Sequence, residues 1–335
     1  RLIDFGATPQ YFSSTSFALD SRQETKKISP TVKMEHKMKV SVVIPTYSMD
    51  RYDDMTDCLD AVLSQTYDEV EAIVVVDGNR EVYERVEDEY AEEDVVTFCS
   101  RERAGPISRG NMGGILSSGE IIALTDDDAE PKEDWVENLV EMYEKYDTVA
   151  AGGRIEPDWV SGKADYIPEE FYWLIGATHR GFADEEGEVR NTFGANLSFT
   201  KEAFMELGGI KLGGISNSSI QGRESEFCAR LRDEYGKGVM YNPEAVVYHK
   251  IYDYRTGIWW LHRRAFWQGY SKRGMEKLVP ESSDEESEFL GKLIFDYLPD
   301  RFRGALGGSS VAAKKFVMLL TLTAFVGFGY LYGLL

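Results

Sequence analysis

The sequence is short of basic residues, histidine and cysteine. Its 335 residues carry 37 Lys and Arg against 58 Asp and Glu, a net charge of −21, and only 4 His. A deficit of that size excludes nucleic acid as the main partner, because phosphate binding needs a basic footprint. It suits a cytosol at high salt, where hydrated carboxylates keep proteins soluble. Cys58, Cys99 and Cys228 are too dispersed for a metal knuckle and form no disulfide framework, as in a reducing compartment. No G-x-G-x-x-G follows a strand, no G-x-x-x-x-G-K-[ST] occurs and no G-x-S-x-G elbow is present, which argues against a dinucleotide fold, a P-loop ATPase and that type of hydrolase. Residues 1–37 are polar and lack an apolar h-region, so they are no secretory signal and are expected to be a disordered tail. There is no internal repeat.

What the chain does have is an alternation of short apolar runs and amphipathic stretches. Val40–Ile44 is strand-like and is expected to stop at Pro45, and Met55, Leu59, Val62 and Leu63 recur at helical spacing. Ala72–Val76, Val95–Phe98 and Ile121–Leu124 supply further strands, with helices around Val82–Tyr90 and in a Gly-rich segment before Ile121. Strand and helix at this spacing imply an α/β fold, a mostly parallel, Rossmann-like sheet flanked by helices. Ligands in such sheets bind beyond the carboxyl ends of the strands. Pro45-Thr46-Tyr47, Asp77-Gly78 and Asp126-Asp127-Asp128 all fall there.

Three adjacent carboxylates repel one another unless a cation or water screens them. Mg²⁺ or Mn²⁺ would do so and leave positions open for phosphate oxygens. In an acidic chain the same run can be a solvated loop, but its place after a buried strand favours a site. The segments VSVVIPTY, VVVDG and NMGGILSSGEIIALTDDDAEP, in that order from Val40 towards His249, resemble family-2 glycosyltransferases of the GT-A fold. The resemblance implies that Pro45, Thr46, Tyr47 and Asp77 hold the nucleotide, with Asp126 on the ribose side and Asp127 beside it. Asp128 would then ligate a metal that bridges the diphosphate. Arg109 and Asn111 would lie near that diphosphate. Here the chain departs from the family, which often has Arg directly before Asn, whereas Gly110 intervenes.

Gly222-Arg-Glu-Ser-Glu-Phe227 resembles the family's E-D-x-E-L segment, which implies that Glu224 is the catalytic base. Such a transfer needs a carboxylate to take the proton of the attacking hydroxyl. A surface helix with a Glu226–Arg230 pair would explain those two residues but not Glu224. By the same resemblance His249 would join the metal or diphosphate, although a lone His at a strand end is commonly just hydrogen-bonded. Phe193-Gly194-Ala195-Asn196 would line the acceptor side, or form a plain turn.

Lys250–Lys277 holds seven basic residues against Asp253 and Glu276, and three of the six tryptophans. That composition suits helices lying in a membrane interface, with Arg263, Arg264 and Trp267 meeting a lipid phosphate. A core helix with a basic rim would read similarly. Phe316–Leu335 is an uncharged run of 20 residues, long enough to cross a bilayer at 1.5 Å per residue. Arg301, Arg303, Lys314 and Lys315 precede it, which puts the catalytic part on the cytoplasmic side. The expected organisation is a tail (1–37), a nucleotide-sugar half (38–150), an acceptor half (151–249), interfacial helices (250–280), a linker (281–315) and a transmembrane helix (316–335). With its acidity, the chain is similar to haloarchaeal members of the family. That similarity implies transfer of a hexuronate, glucuronate, from a UDP-sugar to a dolichyl-phosphate-linked saccharide in protein N-glycosylation, at a membrane. A polyprenyl-phosphate sugar synthase or a non-catalytic membrane scaffold are the alternatives. For a uronate carboxylate the candidates are Arg154, His179, Arg180 and Arg223.

Overall fold

The computed structural model describes residues 37–103, 105–211, 222–278 and 289–334. All of the expected tail (1–37) but Lys37, and the acidic stretch Glu281–Glu288, lie outside them. The chain begins with three strand–helix units: β1 (Val40–Thr46) and α1 (Tyr52–Leu63), β2 (Val70–Val76) and α2 (Arg80–Glu89), β3 (Val95–Cys99) and α3 (Pro106–Leu116), leading to β4 (Ile121–Leu124). These four strands pair in parallel in the order β3-β2-β1-β4. Their runs are apolar on both faces because both faces are covered. Val40, Val42 and Ile44 join a core with α1 residues Met55, Leu59 and Val62, while Val43 and Ile73 face a second core.

The second half breaks the parallel expectation. β5 (Ala129–Pro131), α4 (Trp135–Lys145), β6 (Ala150–Trp159), β7 (Gly187–Val189), β8 (Leu197–Thr200), α5 (Lys201–Glu206), α6 (Arg223–Tyr235) and β9 (Val239–Ile251) follow. β8 enters antiparallel between β4 and β6, β6 pairs parallel with β9, and β5 and β7 pair antiparallel with β9. The sheet is therefore mixed rather than mostly parallel. The irregular aromatic loops after Gly152 hid this, because β8 and β7 are too short to show a period. β1 also runs through Pro45. Odd residues of β1 face β4, whose pairing ends at Val43↔Leu124, so the missing N–H of Pro45 falls beyond that ladder.

At the opposite, amino end of the strands a buried carboxylate ties loops to the sheet. Glu71 is 4% exposed. Lys39 Nζ lies 2.8 Å away, Ser118 donates from both N and Oγ at 2.6 Å, and Ser41 donates as well. Burial opposes ionisation, but these donors win and hold the carboxyl down at about 2.

After β9 come α7 (Asp253–Thr256) and α8 (Ile258–Leu278), then, past the undescribed stretch, a π-helical turn at Leu293–Tyr297, α9 (Leu298–Leu306) and α10 (Ser310–Tyr332). The π turn sits just before Pro299, which cannot donate to a helical carbonyl. Most of the expected linker is thus helical, and the apolar C-terminal helix starts at Ser310 rather than Phe316. α10 is long and apolar enough to cross a membrane and is mostly uncovered. α8 packs along it, the two running in the same direction: His262 meets Phe325, and Arg273 meets Gly333. Gly269 and Gly329 make the crossing possible. A Cβ on Gly329 would lie 1.8 Å from the Phe266 carbonyl oxygen, and one on Gly269 2.0 Å from that of Val326. Glu276, brought beside α10, is paired there: Arg273 and Tyr330 both donate to it.

Candidate active site

Strand ends assemble the site. β1 ends at Thr46, β2 delivers Asp77, and the turn between β4 and β5 carries Asp126-Asp127-Asp128. Antiparallel pairing of Ala129 with His249, together with the Lys250 N–H donating to the Asp128 carbonyl at 2.8 Å, sets His249 beside the acids. One ligand atom each from Asp126, Asp128 and His249 lies within 4.8 Å of the others. Two carboxylate oxygens and an imidazole nitrogen form a donor set that fits Mn²⁺ or Mg²⁺.

The electrostatics of the corner are lopsided. Burial, then the charge of Asp128, raises Asp126. The same two causes push Asp127 up to about 6. Burial would raise Asp128 too, but the hydrogen bond and charge of His249, followed by Arg255 and Arg51, hold it below the usual carboxylate range. Arg51 Nη1 reaches Asp128 Oδ2 at 2.8 Å and Asp127 Oδ1 at 3.1 Å, and Arg255 Nη2 reaches Asp128 Oδ2 at 3.0 Å. His249 Nε2 lies 3.3 Å from Asp128 Oδ1 and 3.1 Å from Arg255 Nη1, so it either donates to the one or accepts from the other. Thr46 Oγ1 donates to Asp127 at 2.8 Å. Neither Arg51 nor Arg255 stood out in the sequence. Arg51 directly precedes α1, close behind the Pro45-Thr46-Tyr47 strand end, and that position was its only signal.

Asp77 accepts from Ser100 Oγ at 3.2 Å and from the Gly105 N–H at 3.1 Å. Arg109 Nε is 3.9 Å from it, and the Tyr47 ring lies against both Arg109 and Arg103. Arg109 is thus at the strand ends in spite of the shifted motif. Burial lowers its pKa, partly offset by Asp77, and its Nε is buried without a hydrogen-bond partner. Asn111 is elsewhere. Its amide clasps the Ile210 backbone, donating to the carbonyl at 2.9 Å and accepting from the N–H at 2.8 Å, and so holds the loop after α5.

Glu224 opens α6 and faces this corner. Its charge is close enough to add to the lift on Asp126, and its Oε1 lies 2.8 Å from where a Cβ on Gly194 would stand. No described residue donates a hydrogen bond to it, whereas the neighbouring Glu226 is bound to Arg230 at 2.7 Å. Asn196 is fully buried: it accepts from Trp135 Nε1 at 2.9 Å and donates to the carbonyls of Arg154 and Ala245 at 2.9 and 2.7 Å. It braces the wall behind Gly194.

The basic belt divides. Lys250 pairs with Asp54 and Asp57 on α1 at 2.8 and 2.7 Å, and Trp267 packs between Phe266 and Tyr270. Arg263 is exposed. Arg264 turns towards the site: burial, then the nearby Arg255, pushes it down to about 10, Glu224 opposes that fall, and its Nε is buried without a partner.

Asp77 and Arg109 at one strand end, the candidate metal-donor trio Asp126, Asp128 and His249 at the next, and Glu224 facing that trio suit a metal-dependent nucleotide-sugar transferase. The chain belongs to glycosyl transferase family 2, whose model matches residues 41–208. It is 44% identical over 303 residues to a glucosyl-dolichyl phosphate glucuronosyltransferase of Haloferax volcanii, covering 89% of this chain and 97% of that protein. It is 28% identical over 172 residues to glycosyltransferase GlyG of Streptococcus pneumoniae, covering 50% and 54%. In fold it is similar to a mannosyltransferase from Pyrobaculum calidifontis solved with GDP-Man and Mn²⁺, at a TM-score of 0.57 and 18% identity over 89% of this chain and 88% of that one. The chain is a GT-A-fold glycosyltransferase with a divalent-cation site.

Proposed function

We propose that the chain transfers a hexuronate, glucuronate, from a UDP-sugar to a dolichyl-phosphate-linked saccharide, with inversion, at the cytoplasmic face of a membrane. The observation that carries this reading is Glu224, an uncommitted carboxylate facing the Asp126–Asp128–His249 corner. The 44% identity to the Haloferax enzyme over nearly its whole length supports the substrate assignment.

Pro45, Thr46, Tyr47 and Asp77 hold the nucleotide, and Arg109, with an unspent buried donor, meets the diphosphate. When bound by Asp126, Asp128 and His249, Mn²⁺ or Mg²⁺ supplies positive charge to the departing nucleotide. Glu224 takes the proton from the acceptor hydroxyl as that oxygen attacks the anomeric carbon. Attack from the side opposite the nucleotide inverts the configuration. Of the four candidates for the uronate carboxylate, Arg223 is favoured. Arg180 is bound to the buried Glu170 at 3.0 Å, His179 is packed between Phe182 and Phe289, and Arg154 faces Glu156. Arg223 adjoins Glu224 and lies close enough to Arg109 and Arg264 to depress both.

α10 anchors the enzyme. Of the four cations preceding its apolar run, Arg301 and Lys315 are bound to Glu169 and Arg303 to Asp300, and the exposed Lys314 adds to the positive charge that favours the cytoplasmic side. The buried, unpartnered Nε of Arg264, with Arg255 nearby, favours a second reading, in which the acceptor is the lipid phosphate itself. An assay of membranes with a panel of UDP-sugars, with and without EDTA, tests both by following label into extractable lipid. EDTA-sensitive transfer from UDP-glucuronate to a lipid-linked sugar, lost in Glu224→Gln, supports the first. Activity kept by Glu224→Gln supports the second, because a phosphate dianion needs no base.

A further inference from the structure

The segment between the catalytic domain and α10 has two opposed faces. Inward, Leu293 and Tyr297 are 2% and 5% exposed in the main core, Phe289 packs edge-on against Phe171, and Arg301 binds Glu170 at 2.9 Å together with Glu169. Glu170 is fully buried, so this attachment is firm. Outward, Leu290, Ile294, Phe302, Leu306 and Phe295 are exposed, whereas Leu298 between them turns in and packs against the core. Their exposures are 50, 54, 49, 72 and 78% in that order. Helices that face water do not keep so much apolar surface bare.

We propose that residues 289–306 form an in-plane interfacial helix whose outer face beds into the lipid bilayer, fixing the catalytic domain at a set height. Two observations select a bilayer as the occupant. That face is continuous with α10: Phe302 touches Phe316 at 5.6 Å, and Val311, Val317 and Leu320 carry the exposed apolar surface onward. Exposed Arg303 and Lys314 border it, as cations do where apolar side chains meet anionic headgroups. The other charges of the segment are directed elsewhere or flank that face: Asp300 pairs with Arg303 and Arg180, Arg301 is bound inward, Lys292 has a partner, and Asp296 is exposed beside Phe295. The tryptophan-rich α8, expected from its composition to be interfacial, packs along α10 and leaves Trp259 84% exposed at its start. The proposal does not depend on which sugar is transferred.

The test uses the full chain in vesicles of equal phosphatidylglycerol and phosphatidylcholine, at a salt where it is folded. In a Cys99→Ser background, with Cys58 and Cys228 buried, single cysteines at Phe295→Cys, Leu306→Cys and, as a water-facing control, Glu81→Cys carry a nitrobenzoxadiazole label. Unchanged unfolding in detergent confirms that each variant keeps the fold. The expected result is several-fold stronger quenching of the 295 and 306 labels by shallow spin-labelled lipid than of the 81 label, with matching protection from aqueous iodide. Labels at 295 and 306 that behave like the one at 81 overturn the proposal. Protection from iodide without lipid quenching, rising with the protein-to-lipid ratio, also overturns it and assigns the face to a second copy.

Discussion

Glu224 rests over Gly194 with no room to spare: its Oε1 stands 2.8 Å from the point a Cβ on that glycine would occupy. The Gly-Ala-Asn turn therefore shapes the cleft by what it omits at its first position, while Asn196 at its last position is locked into the scaffold. Gly194→Ala is expected to push the carboxylate aside and lower kcat by up to about 100-fold, the scale of an ångström misplacement of a reacting group. KM for the nucleotide sugar should hold, since Gly194 touches none of the nucleotide-side groups. Steady-state kinetics at saturating donor separates the two.

Arg51 binds Asp127 and Asp128 through a single Nη1. Arg51→Gln is expected to lower activity or metal affinity about 10- to 100-fold, as losses of groups that orient metal ligands do. Arg51→Lys should restore only part, because an ammonium on a flexible stem does not reproduce the guanidinium's fixed plane. Activity measured across a Mn²⁺ titration distinguishes a lost affinity from a lost rate.

Much of the site was legible because it lies on backbone that announces itself. Apolar runs ending in Pro-Thr-Tyr, Asp-Gly and Asp-Asp-Asp place their residues at strand ends by chain direction alone. His249 and Glu224 came from segments of family likeness rather than from pattern. Arg51 and Arg255 were invisible, since an arginine at a helix start or in a basic belt looks like any surface cation until the fold closes it onto an acid. Asn111 and Asn196 show the converse: an amide in a site-like motif can be tied into the scaffold, Asn111 to the Ile210 backbone and Asn196 to Trp135 and two backbone carbonyls. The antiparallel entry of β8 was hidden because four residues carry no period. The interfacial face at 290–306 was masked by its own inward charges, Arg301 above all, whose buried partners Glu169 and Glu170 lie more than a hundred residues earlier.

Glu71 predicts how the sheet responds to acid. Its carboxyl falls from 4.5 to about 2 on folding, so it contributes stability that is fully present above pH 4.5 and is lost as the pH drops towards 2. Glu71→Gln is expected to cost about 1–3 kcal/mol at neutral pH, the range for losing hydrogen bonds to a charged group. The gap between variant and parent should close between pH 4.5 and 2. Urea midpoints measured across that range check both statements.

The α8–α10 crossing depends on glycine at two facing positions. Gly329→Val sets side-chain atoms against the Phe266 backbone, which cannot yield as a side-chain tip can, and is expected to destabilise by about 1–3 kcal/mol. Gly327→Val, on the same helix with nothing within 4 Å of its Cβ position, should change little. Thermal unfolding of the two variants in one detergent makes the comparison.

The cation site is tested most directly by titrating Mn²⁺ into the full chain with UDP present, by electron paramagnetic resonance or calorimetry, for the parent, Asp128→Asn and His249→Ala. The parent should bind one ion per chain, and each variant should weaken that binding by at least about 10-fold, as removal of a direct ligand demands. Undiminished binding in both variants, or no binding by the folded parent, would contradict a metal held between Asp126, Asp128 and His249.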